Sequence, residues 1–431
     1  MTGRRVAVIG GGASGTLQAL NLARRGAGKV TLIERARVPG RGVAYSTGRP
    51  EHLLNVPARR MSAFGDDPDH FVRWFHEKAG GGEEDFAPRM LYGDYLAGLL
   101  AAAEIEVVRD EAVDVAPDGT VRLATGTTLP ADAVVLAPGN FRPATPRGID
   151  PAALGELWAQ DPWAAGVTDG LDGGDTILLI GTGLTAIDVA LTLEATGYRG
   201  RIVALSRRGL APRAHGPREP MVAPREDLAA SCTAMLRRVR DRSEAVGWRS
   251  AVHELRSVTF KLWADAGAEE RGRFLRHLRP WWDVHRHKLA PAIGAKIEAM
   301  QADARLAVAA GKLVSAEAEN GRAVVRFRAR GGEAVETLRV ARIVNCTGPE
   351  IDIVRAGEPL LDALLATGRA RPDALRVGLD VDTDCRILDE EGRASETLSA
   401  IGPITRGTFW ESVAIPDIRA QAERVAARLL A

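Results

Sequence analysis

The 431-residue chain is 45% apolar and 26% charged, which excludes a fibrous or disordered protein and leaves length for two or three domains. Lys+Arg 57 against Asp+Glu 56 gives a formal net charge of +1, so no overall field gathers nucleic acid or an anionic membrane surface.

In chain order, Val6-Ala7-Val8-Ile9 is a continuous apolar run, the pattern of a strand buried on both faces of a parallel sheet. It stops at glycine after four residues, too short for a signal peptide, and no later apolar stretch approaches the ~20 residues of a membrane span. The glycines open a G-x-G-x-x-G, Gly10 to Gly15, ahead of a helical pattern through Leu17, Leu20 and Ala23. Val30 to Ile33 is a second strand ending in Glu34. Each piece has a use in holding a dinucleotide. Gly10 permits the tight turn, Gly12 lets backbone amides approach a pyrophosphate, and Gly15 lets the helix pack close to the strand. Phosphate charge sits at the helix N-terminus, and Glu34 accepts the hydroxyls of an unphosphorylated ribose.

The pattern recurs. Thr176 to Ile180 predicts a buried strand, followed by Gly181-Thr182-Gly183-Leu184-Thr185-Ala186, a helix, and the strand Arg201 to Leu205. Here the strand ends in Ser206-Arg207-Arg208 rather than an acid. A hydroxyl and two guanidiniums bind a 2′-phosphate by charge-assisted hydrogen bonds, so this site prefers NADPH. Two strand meanders are also predicted, 105–108, 112–115 and 121–123, then 313–318, 323–328 and 335–340. Each is followed by an apolar strand ending in a small residue and glycine, at Pro138-Gly139 and at Thr347-Gly348. The fold class expected is α/β, with two Rossmann-like dinucleotide-binding domains, the NADP unit inserted in the FAD unit. The boundaries expected are 1–170 with 343–431 for the first unit and 171–342 for the second, which includes a helical cap at about 215–300.

The cap segment is rich in Arg and carries Trp248, Trp263, Trp281 and Trp282. An insertion of this kind is the natural substrate cover of a generic cofactor platform. Arg286 and His287 are its candidate substrate residues, Arg286 to neutralise an anionic substrate; the alternative is that they staple the cap to the Rossmann units. His285 and His287 point about 200° apart on a helix, which disfavours a shared metal. Cys232, Cys346 and Cys385 never form C-x-x-C, which excludes a disulfide scaffold and a cysteine-rich zinc site. No metal is expected, and the location expected is cytoplasmic.

On these residues the chain resembles two-dinucleotide-binding-domain flavoproteins, the group containing FAD- and NADPH-dependent monooxygenases. More narrowly, it is similar to the bacterial FAD/NAD(P)-binding family that includes FAD-dependent urate hydroxylases and aspartate N-monooxygenases. The narrower likeness rests on Gly42-Val43-Ala44-Tyr45, His52 to Ala58, Met61-Ser62-Ala63-Phe64, Pro88 to Gly93, Trp281 to His287, and Ile401-Gly402-Pro403 with Phe409-Trp410-Glu411. The resemblance implies a monooxygenase hydroxylating a small, nitrogen-containing molecule through a C4a-hydroperoxyflavin, with dioxygen as co-substrate. It implies that Asn55, Val56 and Met61 line the flavin ring, that Gly402 lies near its ribityl or pyrophosphate, and that the helix starting near Pro416 points its N-terminus at the pyrimidine end. The cofactor-binding candidates of the first unit are then Gly10, Gly12, Ala13, Ser14, Gly15, Glu34, Arg35, Asn55, Val56, Met61, Val113, Pro138, Gly139, Thr347, Gly348 and Gly402. Those of the second are Gly181, Gly183, Leu184, Thr185, Ser206, Arg207 and Arg208. No H-E-x-x-H, G-x-S-x-G or P-loop occurs, which fits a cofactor carrying the chemistry; Asn55 and His52 are the catalytic candidates. Two alternatives stay open: a flavoprotein reductase passing electrons to a protein or quinone, and a non-catalytic flavin sensor.

Overall fold

The computed structural model describes residues 3–164, 166–216 and 231–431. Its first sheet has six strands, in the order Arg386–Leu388, Ala394–Ala400, Ala133–Leu136, Arg5–Ile9, Lys29–Ile33 and Glu106–Val108. All neighbours are parallel except the first pair. Burial on both faces explains the unbroken apolar runs. Val6 and Val8 pack with Leu17, Leu20, Ile418 and Val425 on one side. Ala7 and Ile9 pack with Val115, Val121, Leu361 and Leu364 on the other.

The second sheet has seven strands, in the order Val335–Val340, Arg322–Ala329, Leu306–Glu319, Arg201–Ser206, Thr176–Ile180, Arg342–Asn345 and Trp158–Ala159. Its core is again double, with Ile177 and Leu179 on one face and Leu178 and Ile180 on the other. The glycine-loop helices, Ala13–Arg24 and Leu184–Ala195, occupy equivalent places in the two units.

Three expectations change. The strand at 105–108 is not part of a meander; Glu106–Val108 extends the first sheet, in register Thr31 to Glu106 and Ile33 to Val108. The meander is Ala112–Val115, Val121–Leu123 and Thr128–Leu129. In the second unit, by contrast, sheet strand and meander strand are one continuous element, Leu306–Glu319. Second, Trp158–Ala159 pairs with Ile343–Val344, so the second sheet begins before residue 171 and keeps the strand through Asn345. A two-residue strand has no periodicity to read; it exists because the sheet edge offers it partners. Third, the cap ends near residue 290 rather than 300. Ala214 bridges to Leu289 at its base, and helix Pro291–Ala302 buries Ile297 and Met300 in the core of the second unit. Within the cap, residues 217–230 lie outside the described set; the described part holds helices Cys232–Val246, Trp248–Glu254, Thr259–Asp265, Ala268–Arg273 and Arg279–Arg286, with helical turns at Leu255–Val258 and Phe274–Leu278.

Candidate functional site

Both glycine loops end in a helix whose N-terminus no side chain caps, at Gly12 and at Gly183. The first-turn N–H groups have no intrahelical acceptor, which is the donor set an anionic diphosphate needs. Close approach sets the glycine requirement. A Cβ on Gly10 would strike the Ala137 carbonyl, and one on Gly181 the Cys346 carbonyl. Both glycines also hold positive φ, +99° and +118°, a region side chains disfavour. Pro138 and Thr347 therefore sit beside the two loops. A Cβ on Gly15 would collide with the Gly10 carbonyl, so helix and strand touch there.

The strand-end residue and the middle residue of each loop are matched. Glu34 Oε2 accepts from Gly11 N at 2.6 Å and Oε1 from Ala36 N at 2.6 Å. A Cβ on Gly11 would come within 2.8 Å of Glu34 Cβ. In the second unit the strand ends in Ser206, and the loop carries Thr182, with Thr182 Oγ1 3.0 Å from Ser206 Oγ. Ser206 Oγ also accepts from Gly209 N at 3.0 Å. Arg207 is exposed with no hydrogen-bond partner among the described residues, and Arg208 donates to the Arg276 carbonyl at 3.3 Å. Leu184 and Thr185 form the first turn of the helix. Arg35 is held by Glu111 and Glu358, both at 2.9 Å, and Val113 is half-buried in the meander.

Gly402 is brought against the first loop: a Cβ there would lie 2.5 Å from Ser14 Oγ. Its N–H donates to Gln421 Oε1 at 2.8 Å, and Gln421 Nε2 donates to Thr405 Oγ1 at 2.9 Å. Gln421 and Thr405 had no sequence signal, being polar residues in an apolar helix face and a short turn. The final helix, Ile415–Leu430, starts where expected but carries Asp417 in its first turn. Thr347 is shaped by Asn345, whose Oδ1 accepts from the Thr347 hydroxyl at 2.7 Å.

His52 is buried with both ring nitrogens engaged. Nδ1 lies 2.8 Å from Thr47 Oγ1, and Nε2 lies 3.1 Å from the Asp188 carbonyl and 2.9 Å from Thr192 Oγ1. Burial, then the Arg89 charge, lowers its pKa to about 4, so the ring is neutral. Asp188 and Thr192 belong to the second glycine-loop helix, so this geometry fastens the units together. Arg89 pairs with Asp188 at 2.7 Å beside it, and burial raises the Asp188 carboxyl to about 6. The Asn55 carbonyl lies 3.0 Å from His215 Nε2. Val56 is half-buried, and Met61 is fully buried in the core of the first unit.

Arg286 and His287 lie where the cap meets the 402–417 segment. Arg286 Nη2 is 2.7 Å from Glu411 Oε2. The contact lacks hydrogen-bond alignment: Arg286 Nε and Nη2 and Glu411 Oε2 are buried without hydrogen-bond partners among the described residues. Trp282 Nε1 donates to Glu411 Oε1 at 3.1 Å, Arg256 to Asp417 at 3.1 Å, and Trp263 Nε1 to the Gly407 carbonyl at 2.8 Å. Arg60 adds a further cation: burial first, then Arg256, lowers its pKa to about 10. His287 is pushed down by burial and by Arg286. Among the described residues no cluster of three or more His, Cys, Asp or Glu is placed to hold a metal, and no helix is long and apolar enough to cross a membrane.

Residues 7–141 match the family model described as FAD-NAD(P)-binding. The matched stretch carries the first glycine loop, Glu34 and the strand Ala133–Leu136. Two curated relatives match in part. The 3-dehydro-bile acid delta(4,6)-reductase of Clostridium scindens is 32% identical over 161 residues, 32% of this chain and 39% of that protein. Nitrosuccinic acid synthase of Aspergillus oryzae is 34% identical over 82 residues, 18% of this chain and 13% of that protein. The chain thus spans well under half the length of either. Over the full length, the ornithine N-hydroxylase KtzI of Kutzneria sp. 744 superposes with a TM-score of 0.72 at 16% identity, covering 99% of both chains. The whole chain therefore has the two-dinucleotide-domain flavoprotein fold.

Proposed function

We propose that this chain is an FAD-dependent, NADPH-using monooxygenase that hydroxylates a small nitrogen-containing molecule with an anionic group, in the cytoplasm. The observation that carries this reading is the fastening of the cap over the FAD unit. Trp263, Trp282, Arg286 and Arg256 hold it on Gly407, Glu411 and Asp417, in the segment that begins at Gly402 beside the first loop. Oxygen insertion needs water kept from the reacting centre, whereas an electron-passing reductase needs an exposed edge.

The residues present suit both dinucleotides. Gly10, Gly12, Ala13 and Ser14 would hold the FAD diphosphate and Glu34 its ribose, in a loop covered by Gly402 and Gly42, as suits a resident group. Gly181, Gly183, Leu184 and Thr185 would hold NADPH, with Ser206, Arg207 and Arg208 on its 2′-phosphate. Gly183 is exposed, as suits a nucleotide that comes and goes. Bound FAD supplies the two-electron chemistry with dioxygen. Arg256 and Arg286 face two carboxylates, Glu411 and Asp417, while Arg60 adds its charge beside both guanidiniums and the carboxylate it feels, Glu84, is already paired with Arg59. The surplus positive charge at this half-buried place orients an anionic substrate. KtzI, solved with reduced FAD, NADP+ and L-ornithine, and the nitrosuccinic acid synthase support a nitrogenous substrate.

The test is NADPH oxidation by the FAD-loaded protein with dioxygen uptake followed in parallel. Expected is oxygen uptake that yields peroxide without substrate and hydroxylated product with an acceptable amine. NADPH oxidation that ignores oxygen and requires a quinone or protein acceptor would establish the reductase instead.

A further inference from the structure

The five cap helices surround a cavity of about 440 Å³, within the range of small-molecule sites. Its walls are almost wholly apolar, with Val239, Leu262, Trp248, Trp263, Trp281 and Trp282 prominent. Folded interiors leave few voids larger than a water, and an apolar chamber holds no water well. The polar groups in the wall are already engaged by the protein. Cys232 Sγ bonds the Glu270 carbonyl at 3.2 Å, Ser243 the Val239 carbonyl at 2.6 Å, and Thr259 the Leu255 carbonyl at 2.7 Å. Arg271 donates to the carbonyls of Trp263, Ala264 and Gly407, and His285 Nδ1 lies 2.7 Å from the Trp281 carbonyl. Apart from the exposed Arg240, little is left to direct a polar ligand.

The chamber also has a fixed orientation. Trp281, 44% exposed, marks its outer rim. At the inner end stands Trp410, stacked on Trp263 with ring centres 4.8 Å apart and edge-on to Phe274 at 5.3 Å. Trp410 precedes Glu411, and the wall residue Trp282 donates to that same carboxylate, which Arg286 meets from the other side. The apolar chamber and the arginine cluster are therefore neighbours across Trp282 and Trp410.

We propose that the chamber receives the apolar body of the substrate, an aromatic or hydrocarbon group about the size of a fused two-ring system, with its anionic end toward the inner wall, in the field of Arg286 and Arg256 behind Trp282 and Trp410. This rests on the monooxygenase reading for what happens to the molecule, but the binding itself does not depend on turnover. Flat rings between tryptophan faces gain area burial and ring stacking together.

Isothermal titration of the FAD-loaded protein with 2-naphthylacetate and with acetate separates the two parts. Naphthylacetate is expected to bind about 100-fold tighter or more, from ring burial, with a negative heat-capacity change and quenching of tryptophan fluorescence. Leu262→Trp, which fills the chamber, is expected to remove at least about tenfold of that affinity and leave acetate unchanged. Val239→Phe tests the same wall should the first variant fail to fold. Naphthylacetate binding no tighter than acetate, or full affinity in both variants, overturns the proposal. Absence of oxygen-linked NADPH oxidation with this binding intact would remove the monooxygenase reading alone.

Discussion

The two glycine loops share a strand, a turn and an uncapped helix, yet they differ in what surrounds them. The first is covered: Gly11 donates to Glu34, Gly12 lies against Gly42 and Gly402 against Ser14. The second is open, with no atom of the described residues within 4 Å of a Cβ built on Gly183. The difference begins at the strand end. Residue 34 comes so close to the first loop, its Cβ 2.8 Å and its Cγ 3.0 Å from a Cβ built at 11, that only glycine fits there, whereas the second loop holds Thr182 beside Ser206.

The sharpest test of this asymmetry is Gly15→Ala against Gly183→Ala. The first drives a methyl into the Gly10 carbonyl and is expected to give colourless protein with a stability loss of about 1–3 kcal/mol, read from flavin absorbance and urea unfolding. The second should keep its FAD and its stability within about 0.5 kcal/mol, while NADPH binds more weakly because a Cβ intrudes on the diphosphate approach. Equal loss of FAD in both would end the distinction.

Next in size, Gly11→Thr should destabilise by about 1–3 kcal/mol through overpacking against Glu34. Adding Glu34→Ser removes the Cγ and carboxylate contacts but keeps the Cβ, so it should recover part of that, a coupling readable in a double-mutant cycle. Additive losses would show that the two positions do not govern one another.

Replacing Arg207 and Arg208 with Ala should raise KM for NADPH by about 10- to 100-fold, the worth of charge-assisted hydrogen bonds, with NADH nearly unaffected. Steady-state kinetics with both nucleotides decides it; equal effects contradict the phosphate assignment.

The smallest effect concerns the fastening between the units. His52, lowered from 6.5 to about 4, stays neutral in the folded chain while the unfolded chain takes up a proton. Its contribution is present above pH 6.5 and lost as pH falls toward 4. Asp188, raised from 3.8 to about 6, works in the opposite sense: the folded chain keeps its proton longer, so stability from this group falls as pH rises from about 4 to 6. His52→Gln should therefore remove the acid-side loss and leave the Asp188 trend, a change of about 1 kcal/mol between urea unfolding at pH 4.5 and pH 7. An unchanged pH slope would show that folding leaves the His52 pKa where it is in the unfolded chain.

Much of the cofactor platform was legible because its signals are local. Apolar runs for doubly buried strands, glycines within six residues, and an acid or arginines at the next strand end all follow from neighbours in the chain. Trp158–Ala159 was not legible as a strand, and 105–108 was legible as a strand but not as the edge of the first sheet, because sheet edges offered both their partners. Nor was the reason for Arg286. Its partner Glu411 lies far along the chain, as does that of Trp282, 129 residues away, and no spacing announces such a pair.

What the amino-acid order determined by itself was two glycine loops with different strand-end residues, Glu34 and Ser206, and an aromatic, arginine-rich insertion after the second. Only the tertiary structure decided that one loop is covered and the other open, that the insertion closes over residues 407–417, and that its tryptophans surround a chamber rather than fill it. The physical reason is range: backbone turns and strand burial are set by adjacent residues, whereas cover, cavity and charge pairing arise between segments that meet only after the chain has folded.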